Sequence, residues 1–113
     1  MECVFCRIAA GEIPADIVFQ DDELMAFRDI HPQAPVHILV IPKRHIVSLN
    51  DLKSDHTELI GRIILLAVEL ARRENISDSG YRLAISCGTE GGQVVPHLHL
   101  HLIGGRKLAD ALG

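Results

Sequence analysis

Three histidines alternate with leucines toward the C-terminal end of the chain, in His97-Leu98-His99-Leu100-His101-Leu102-Ile103. Alternation with period two belongs to a half-buried β-strand, whose successive side chains point to opposite faces. His97, His99 and His101 are therefore expected on one face, and Leu98, Leu100 and Leu102 in a core on the other. On a helix the same rings would spread around the cylinder. Three neighbouring imidazoles can hold a metal, activate a phosphate ester, or do both. Burying them together without a ligand strands donors and acceptors and sets the rings against one another on protonation, so the row reads as a functional site. Immediately before it runs the glycine-rich loop Gly88-Thr89-Glu90-Gly91-Gly92-Gln93. Such a backbone approaches an oxyanion closely and aims N–H groups at it, although glycine loops also simply turn. Cys3 and Cys6, spaced C-x-x-C, make half of a tetrahedral zinc site, with a redox pair or two inert thiols as the alternatives. His31 and His56 read as ordinary satisfied polar residues.

The elements that must position these groups follow from pattern. Residues 3–10 place Phe5, Ile8 and Ala9 along a short helical turn stopped by Gly11. Beyond Ile13-Pro14, residues 17–20 and 24–28 read as strands joined through Asp21-Asp22 into a hairpin. Residues 29–35 hold two prolines and form a rigid loop. Residues 37–42 are almost wholly apolar and are predicted as the central strand. One long helix is expected over residues 55–74, with Asp55 and Glu58 as its capping pair. Its apolar residues Leu59, Ile60, Ile63, Ile64, Leu66, Ala67, Leu70 and Ala71 cover an arc of roughly 200°, wider than a single surface stripe. That width predicts burial against a second copy, hence a homodimer. Residues 81–86 are a further strand, Gly104-Gly105 ends the histidine strand, and the last residues read as a surface tail. Strand pairs around one long helix define an α+β chain with a mainly antiparallel sheet and a short N-terminal helix.

The chain has 113 residues, 48% apolar and 23% charged, as in a soluble globular protein. One domain over residues 1–113 is expected. No run of about 18 apolar residues exists to span a membrane. The N-terminus lacks the basic start and apolar core of a signal peptide, which predicts a cytoplasmic location. A formal net charge of −4 without any stretch rich in Lys and Arg makes nucleic acid an unexpected partner and leaves a small phosphate ligand open. Three cysteines in that compartment argue against a disulfide framework, and Cys87 is most simply a buried strand residue.

The glycine loop and histidine row, from Gly91 through Pro96 to Ile103, resemble the signature of the histidine triad (HIT) superfamily. The likeness continues through residues 29–37 and 39–45. Gly104-Gly105-Arg106 is similar to the histidine triad nucleotide-binding (Hint) branch. The resemblance runs from Phe5 to Arg106. It implies a HIT-like fold, a homodimer, and a nucleotidyl hydrolase or transferase acting on purine nucleoside 5′-phosphoramidates and releasing AMP. By the same resemblance, His99 is the nucleophile, His101 donates to the phosphate and scissile region, and His37 supports the cluster. Gly92 and the backbone after it would face the phosphoryl oxygens. Asp29 would accept the ribose hydroxyls, while Phe5, Ile8, Phe27, Ile30 and Leu39 would form the purine slot.

Two positions depart from the Hint pattern: Ser86 where the branch commonly has Asn, and Val94 where it has Ser or Thr. Both side chains would lie along the ribose, phosphate or leaving group, and Val94 cannot donate a hydrogen bond. Residues 107–113 also differ from the branch's usual ending. Related HIT and galactose-1-phosphate uridylyltransferase sequences pair such cysteines with two histidines, which implies a structural zinc on Cys3, Cys6, His45 and His97. Three rival readings remain: a zinc hydrolase with a catalytic metal on all three triad histidines, a non-catalytic purine nucleotide sensor, and a Fhit-like dinucleoside polyphosphate hydrolase.

Overall fold

The computed structural model describes residues 3–112. Along the chain run α1 (Val4–Ala9), β1 (Ile17–Gln20), β2 (Leu24–Arg28), β3 (Val36–Pro42), α2 (Thr57–Arg73), β4 (Tyr81–Ala84) and β5 (Leu100–Gly104). The strands form one sheet in the order β1-β2-β3-β5-β4, with every neighbouring pair antiparallel. This is the expected α+β arrangement, with one long helix and one short one.

All seven residues of β3 are buried, because the sheet is covered on both faces. Strand alternation divides its side chains between two cores. Val36, Ile38 and Val40 pack toward α2 with Leu24, Ala26, Leu98, Leu100 and Leu102. Leu39 and Ile41 point the other way, with Met25, Phe27, Phe5 and Ile8. The second core holds α1 in place, since six residues are too few for a helix to persist unaided. Cys3 caps α1, its Sγ accepting the Cys6 N–H at 3.3 Å. Gly11, at φ +78°, turns the chain away after it.

The start of α2 differs from expectation. Asp55 and Glu58 do not form the capping pair. A tight turn over Ser54–His56 precedes the helix instead. There the Lys53 N–H donates to His56 Nδ1 at 2.9 Å, and Thr57 Oγ1 donates to the Ser54 carbonyl at 2.7 Å. Local side-chain bonds have outcompeted the expected first turn. At the other end Asn75 takes the left-handed conformation, φ +61°, and the Ile76 N–H reaches the Ala71 carbonyl at 3.0 Å. The helix buries Leu59, Ile63, Ala67, Leu70 and Ala71, with Ile60 and Leu66 half-buried beside them. Ile64 and Leu65 are 41% and 69% exposed.

Strand β5 begins at Leu100, three residues later than the alternation predicts. Pro96 has no N–H to give to a ladder. The His97 N–H goes to the Val95 carbonyl at 2.8 Å, and the Leu98 N–H to the Ile46 carbonyl at 2.6 Å. Strand β4 accordingly stops at Ala84, opposite His101, rather than running on to Ser86. The leucine alternation survives this irregularity, for Leu98, Leu100 and Leu102 are all buried. Among the described residues no helix is long and apolar enough to cross a membrane.

Candidate active site and metal cluster

The histidine row stays on one face but splits into two neighbourhoods. His97 turns toward α1, where its Nδ1 lies 3.3 Å from Cys3 Sγ and 3.5 Å from Cys6 Sγ. His45, in the loop after β3, completes the group, with Nδ1 3.2 Å from Cys6 Sγ and 3.3 Å from His97 Nδ1. A tetrahedral ion with zinc-like bonds to sulfur and nitrogen requires ligand spacings of about 3.3 Å between nitrogens, about 3.5 Å between nitrogen and sulfur and about 3.8 Å between sulfurs. The measured spacings fall beside those values, and all four donor atoms lie within 4.8 Å of one another. Protonation also fits. His97 Nε2 donates to the Pro42 carbonyl at 2.8 Å, which leaves the Nδ1 lone pair facing the cysteines, as in a metal-ligating histidine held by a backbone acceptor. Burial, and after it the bond and charge of Cys3, push the Cys6 thiol up to about 11. The four residues can hold a metal ion.

His99 and His101 form the second neighbourhood. His99 Nδ1 donates to the His97 carbonyl at 2.7 Å, so in the neutral ring Nε2 carries the lone pair. For His101 the assignment runs through three residues. The Gln33 N–H donates to His37 Nδ1 at 3.0 Å, so a neutral His37 keeps its proton on Nε2. That nitrogen lies 2.9 Å from His101 Nδ1 and donates to it. His101 must then hold its own proton on Nε2. Burial first, then the neighbouring His99 and His37, lower the His101 pKa to about 4. Burial lowers His37 as well, against the opposing pull of Asp29, whose Oδ2 lies 3.5 Å from His37 Nε2. The result is a nucleophilic nitrogen on one ring and an N–H donor on the next, with ring centroids 4.9 Å apart. Asp29, His37 and His101 could also surround a cation. A metal on His37 Nε2 would have to displace the proton that the Gln33 amide keeps there.

Phe5, Ile8, Phe27 and Leu39 come together in one buried cluster. Phe5 meets the His99 ring edge-on at 5.2 Å and the Phe27 ring at 5.4 Å. Ile30 stands apart from that cluster, 85% exposed. Asp29 Oδ1 accepts the His31 N–H at 2.8 Å and so braces its loop. Ser86 lies half-buried beyond the end of β4, and Val94 projects 88% exposed. The glycine loop spends much of its backbone on itself. The Gly92 N–H goes to the Thr89 carbonyl at 3.1 Å and the Gln93 N–H to the Gly88 carbonyl at 3.0 Å. Gly92 is therefore the turn, at φ +86°. Gly91 has a steric reason, because a Cβ there would lie 2.3 Å from the Cys87 carbonyl oxygen.

Three residues here were not legible as site residues. Gln33 acts through its backbone N–H, which any residue but proline supplies. Pro42 acts through its carbonyl. Gln93 locks the loop, accepting the Gly88 N–H at 2.9 Å and donating to the Val47 and Val95 carbonyls at 2.6 and 3.0 Å; its place inside the glycine motif was the available signal.

An antiparallel five-stranded sheet carrying this divided histidine row defines a histidine triad protein, and the chain belongs to the HIT family. Residues 2–111 match the family described as scavenger mRNA decapping enzyme C-term binding. The chain is 49% identical to the purine nucleoside phosphoramidase of Escherichia coli K12, over 98% of this chain and 93% of that protein. A HIT family hydrolase of Legionella pneumophila superposes with a TM-score of 0.98 at 51% identity, covering 99% of this chain and 100% of the other. A zinc-bound histidine triad family protein of Mycobacterium smegmatis superposes with a TM-score of 0.80 at 34% identity, covering 100% and 81%.

Proposed function

We propose that this chain, as one domain over residues 1–113, hydrolyses nucleoside 5′-monophosphate derivatives through a nucleotidyl-His99 intermediate. Adenosine phosphoramidates are the substrates and AMP the product. The observation that carries the reading is the pair of opposed tautomers: a lone pair on His99 Nε2 beside a proton on His101 Nε2. The kinship with a phosphoramidase supports the choice of leaving group.

His99 Nε2 attacks the α-phosphorus, the P–N bond breaks, and its electron pair leaves on the amine, which takes up a proton. That proton comes from a histidinium formed in this cluster, which is left as a neutral ring, while the His101 N–H donates a hydrogen bond to the phosphate and scissile region. Water then attacks the phosphohistidine, the bond to Nε2 breaks, the lone pair returns to His99, and the proton returns to the cluster. The backbone that follows Gly92 stabilises the phosphoryl oxygens. Phe5, Ile8, Phe27 and Leu39 receive the purine, with Ile30 on the rim, and Asp29 accepts the ribose hydroxyls. Val94 offers the leaving group an apolar contact, and Ser86 a hydroxyl. Zinc on Cys3, Cys6, His45 and His97 supplies no chemistry and ties the N-terminal turn to the sheet. The reading also takes the protein as cytoplasmic and homodimeric, with Ile64 and Leu65 covered by the second copy.

The test is release of AMP from adenosine 5′-phosphoramidate by the wild-type chain and by His99→Ala. Loss of at least about 10⁴-fold is expected for removal of a nucleophile, and equal rates would discard the mechanism. For the dimer, Leu65→Asp is expected to halve the mass seen by light scattering at unchanged helix content.

A further inference from the structure

The metal cluster and the nucleophile are adjacent in sequence, and the structure joins them in two ways. The first is the His97 peptide. Its carbonyl takes the His99 Nδ1 proton at 2.7 Å, and its ring closes the cysteine cluster. This peptide lies outside the β5 ladder, which starts at Leu100, so no regular pairing of strands holds the carbonyl in place. What holds it is the fully buried His97 ring, bonded to Pro42 on one side and facing Cys3, Cys6 and His45 on the other, together with the bonds of the flanking amides. The second connection is Phe5. It sits in α1 between Cys3 and Cys6 and meets both rings edge-on, His97 at 6.0 Å and His99 at 5.2 Å. Whatever fixes the two cysteines fixes Phe5.

We infer that the Cys3–Cys6–His45–His97 cluster is a positioning device for the nucleophile: a metal held there clamps the His97 carbonyl and Phe5, and so keeps the His99 ring in one orientation and one tautomer. The inference rests on the assignment of His99 as nucleophile and extends the cluster's part from stapling the fold to setting the reactivity of the site. His97 is on this account a positioning residue, acting through its carbonyl. With the clamp loosened, His99 Nδ1–H loses its fixed acceptor, the ring samples both tautomers, and the fraction with the Nε2 lone pair facing the ligand falls.

The experiment compares the zinc-loaded chain, the same chain stripped by chelator and reloaded, and Cys3→Ser. Serine is a good helix N-cap, so this variant keeps the start of α1 while removing one thiolate. Long-range ¹⁵N–¹H correlation well above the ordinary histidine pKa reports which His99 nitrogen is protonated, without any substrate. One tautomer with the proton on Nδ1 is expected when zinc is bound, and a mixture in the stripped chain and in Cys3→Ser, reversed in the former by reloading. With adenosine 5′-phosphoramidate, kcat should fall about tenfold on stripping while KM moves less than about twofold, since orientation and not binding is lost. A stripped chain whose amide spectrum stays folded, with His99 still a single Nδ1–H tautomer and kcat unchanged, overturns the inference. Should stripping unfold the chain, Cys3→Ser decides by the same two outcomes. If the loaded chain shows the single tautomer but releases no AMP, the phosphoramidase reading has failed and the positioning has not.

Discussion

Two groups of histidines lie side by side on one face of the sheet, and they differ in where their protons are. Around His97 and His45 the ring nitrogens face two thiols and each other, and the His97 proton is led away to Pro42. The His97 Nδ1 lone pair, the His45 ring and two sulfurs converge on a point, where a metal ion would displace the thiol protons. Around His37 and His101 a backbone N–H from Gln33 enters the first ring, and each nitrogen that follows is committed in turn. Here protons lie between the rings, and the group is a hydrogen-bonded line with one donor left for a ligand. The residue type is the same throughout. What separates a ligand from a proton donor is which ring nitrogen the backbone has already occupied, a distinction made by one carbonyl in one case and one amide in the other.

The sharpest way to break this division is to remove one side and ask whether the other notices. His101→Ala should lower phosphoramidate turnover by about 10³-fold, the middle of the range for a positioned acid–base group. It should leave the zinc content of the purified protein at the wild-type ratio by elemental analysis. Loss of zinc in this variant would mean that the two groups are one. Acid offers the next largest effect. The folded His101 has a pKa near 4 against 6.5 in the unfolded chain, so as pH falls through 6.5 the unfolded chain takes up the proton first. The contribution of His101 to stability is then complete at neutral pH, declines between about pH 6.5 and 4, and changes no further below that. Urea midpoints across this range check it, and His101→Gln should show a visibly shallower decline.

The sequence carried the division only in part. Period-two leucines placed Leu98, Leu100 and Leu102 in the core even where no ladder forms, because burial of alternate side chains outlives regular hydrogen bonding. The cysteine spacing pointed to half of a tetrahedral site, and the family likeness supplied His45 and His97 as the other half. The late start of β5 was hidden. It depends on Pro96 and on amide bonds to Val95 and Ile46, one of them to a residue half the chain away, and alternation cannot register it. The tautomers were equally hidden, since they are written by main-chain groups that every residue possesses. Ile30, which the family likeness assigns to the purine slot, stands 85% exposed on the loop after β2, outside the buried cluster of Phe5, Ile8, Phe27 and Leu39. The apolar width of α2 was legible, and the structure leaves Ile64 and Leu65 outside the core.

Phe5 is the wall that both groups share, and changing it tests the comparison most finely. Its ring packs against His97, His99 and Phe27 at centroid distances of 6.0, 5.2 and 5.4 Å, each near perpendicular. Phe5→Leu retains most of the apolar volume and removes the edge-to-face contacts, which contribute about 1 kcal/mol beyond burial. A loss of that size in unfolding free energy is expected. The cysteines on either side of residue 5 are untouched, so zinc should stay at the wild-type ratio. His99 loses one of the surfaces that fix its ring and keeps the His97 carbonyl, so turnover should fall by less than about tenfold. A fall as large as that of His101→Ala would make Phe5, and not the carbonyl, the principal restraint on His99. No fall at all would leave the carbonyl as its sole restraint.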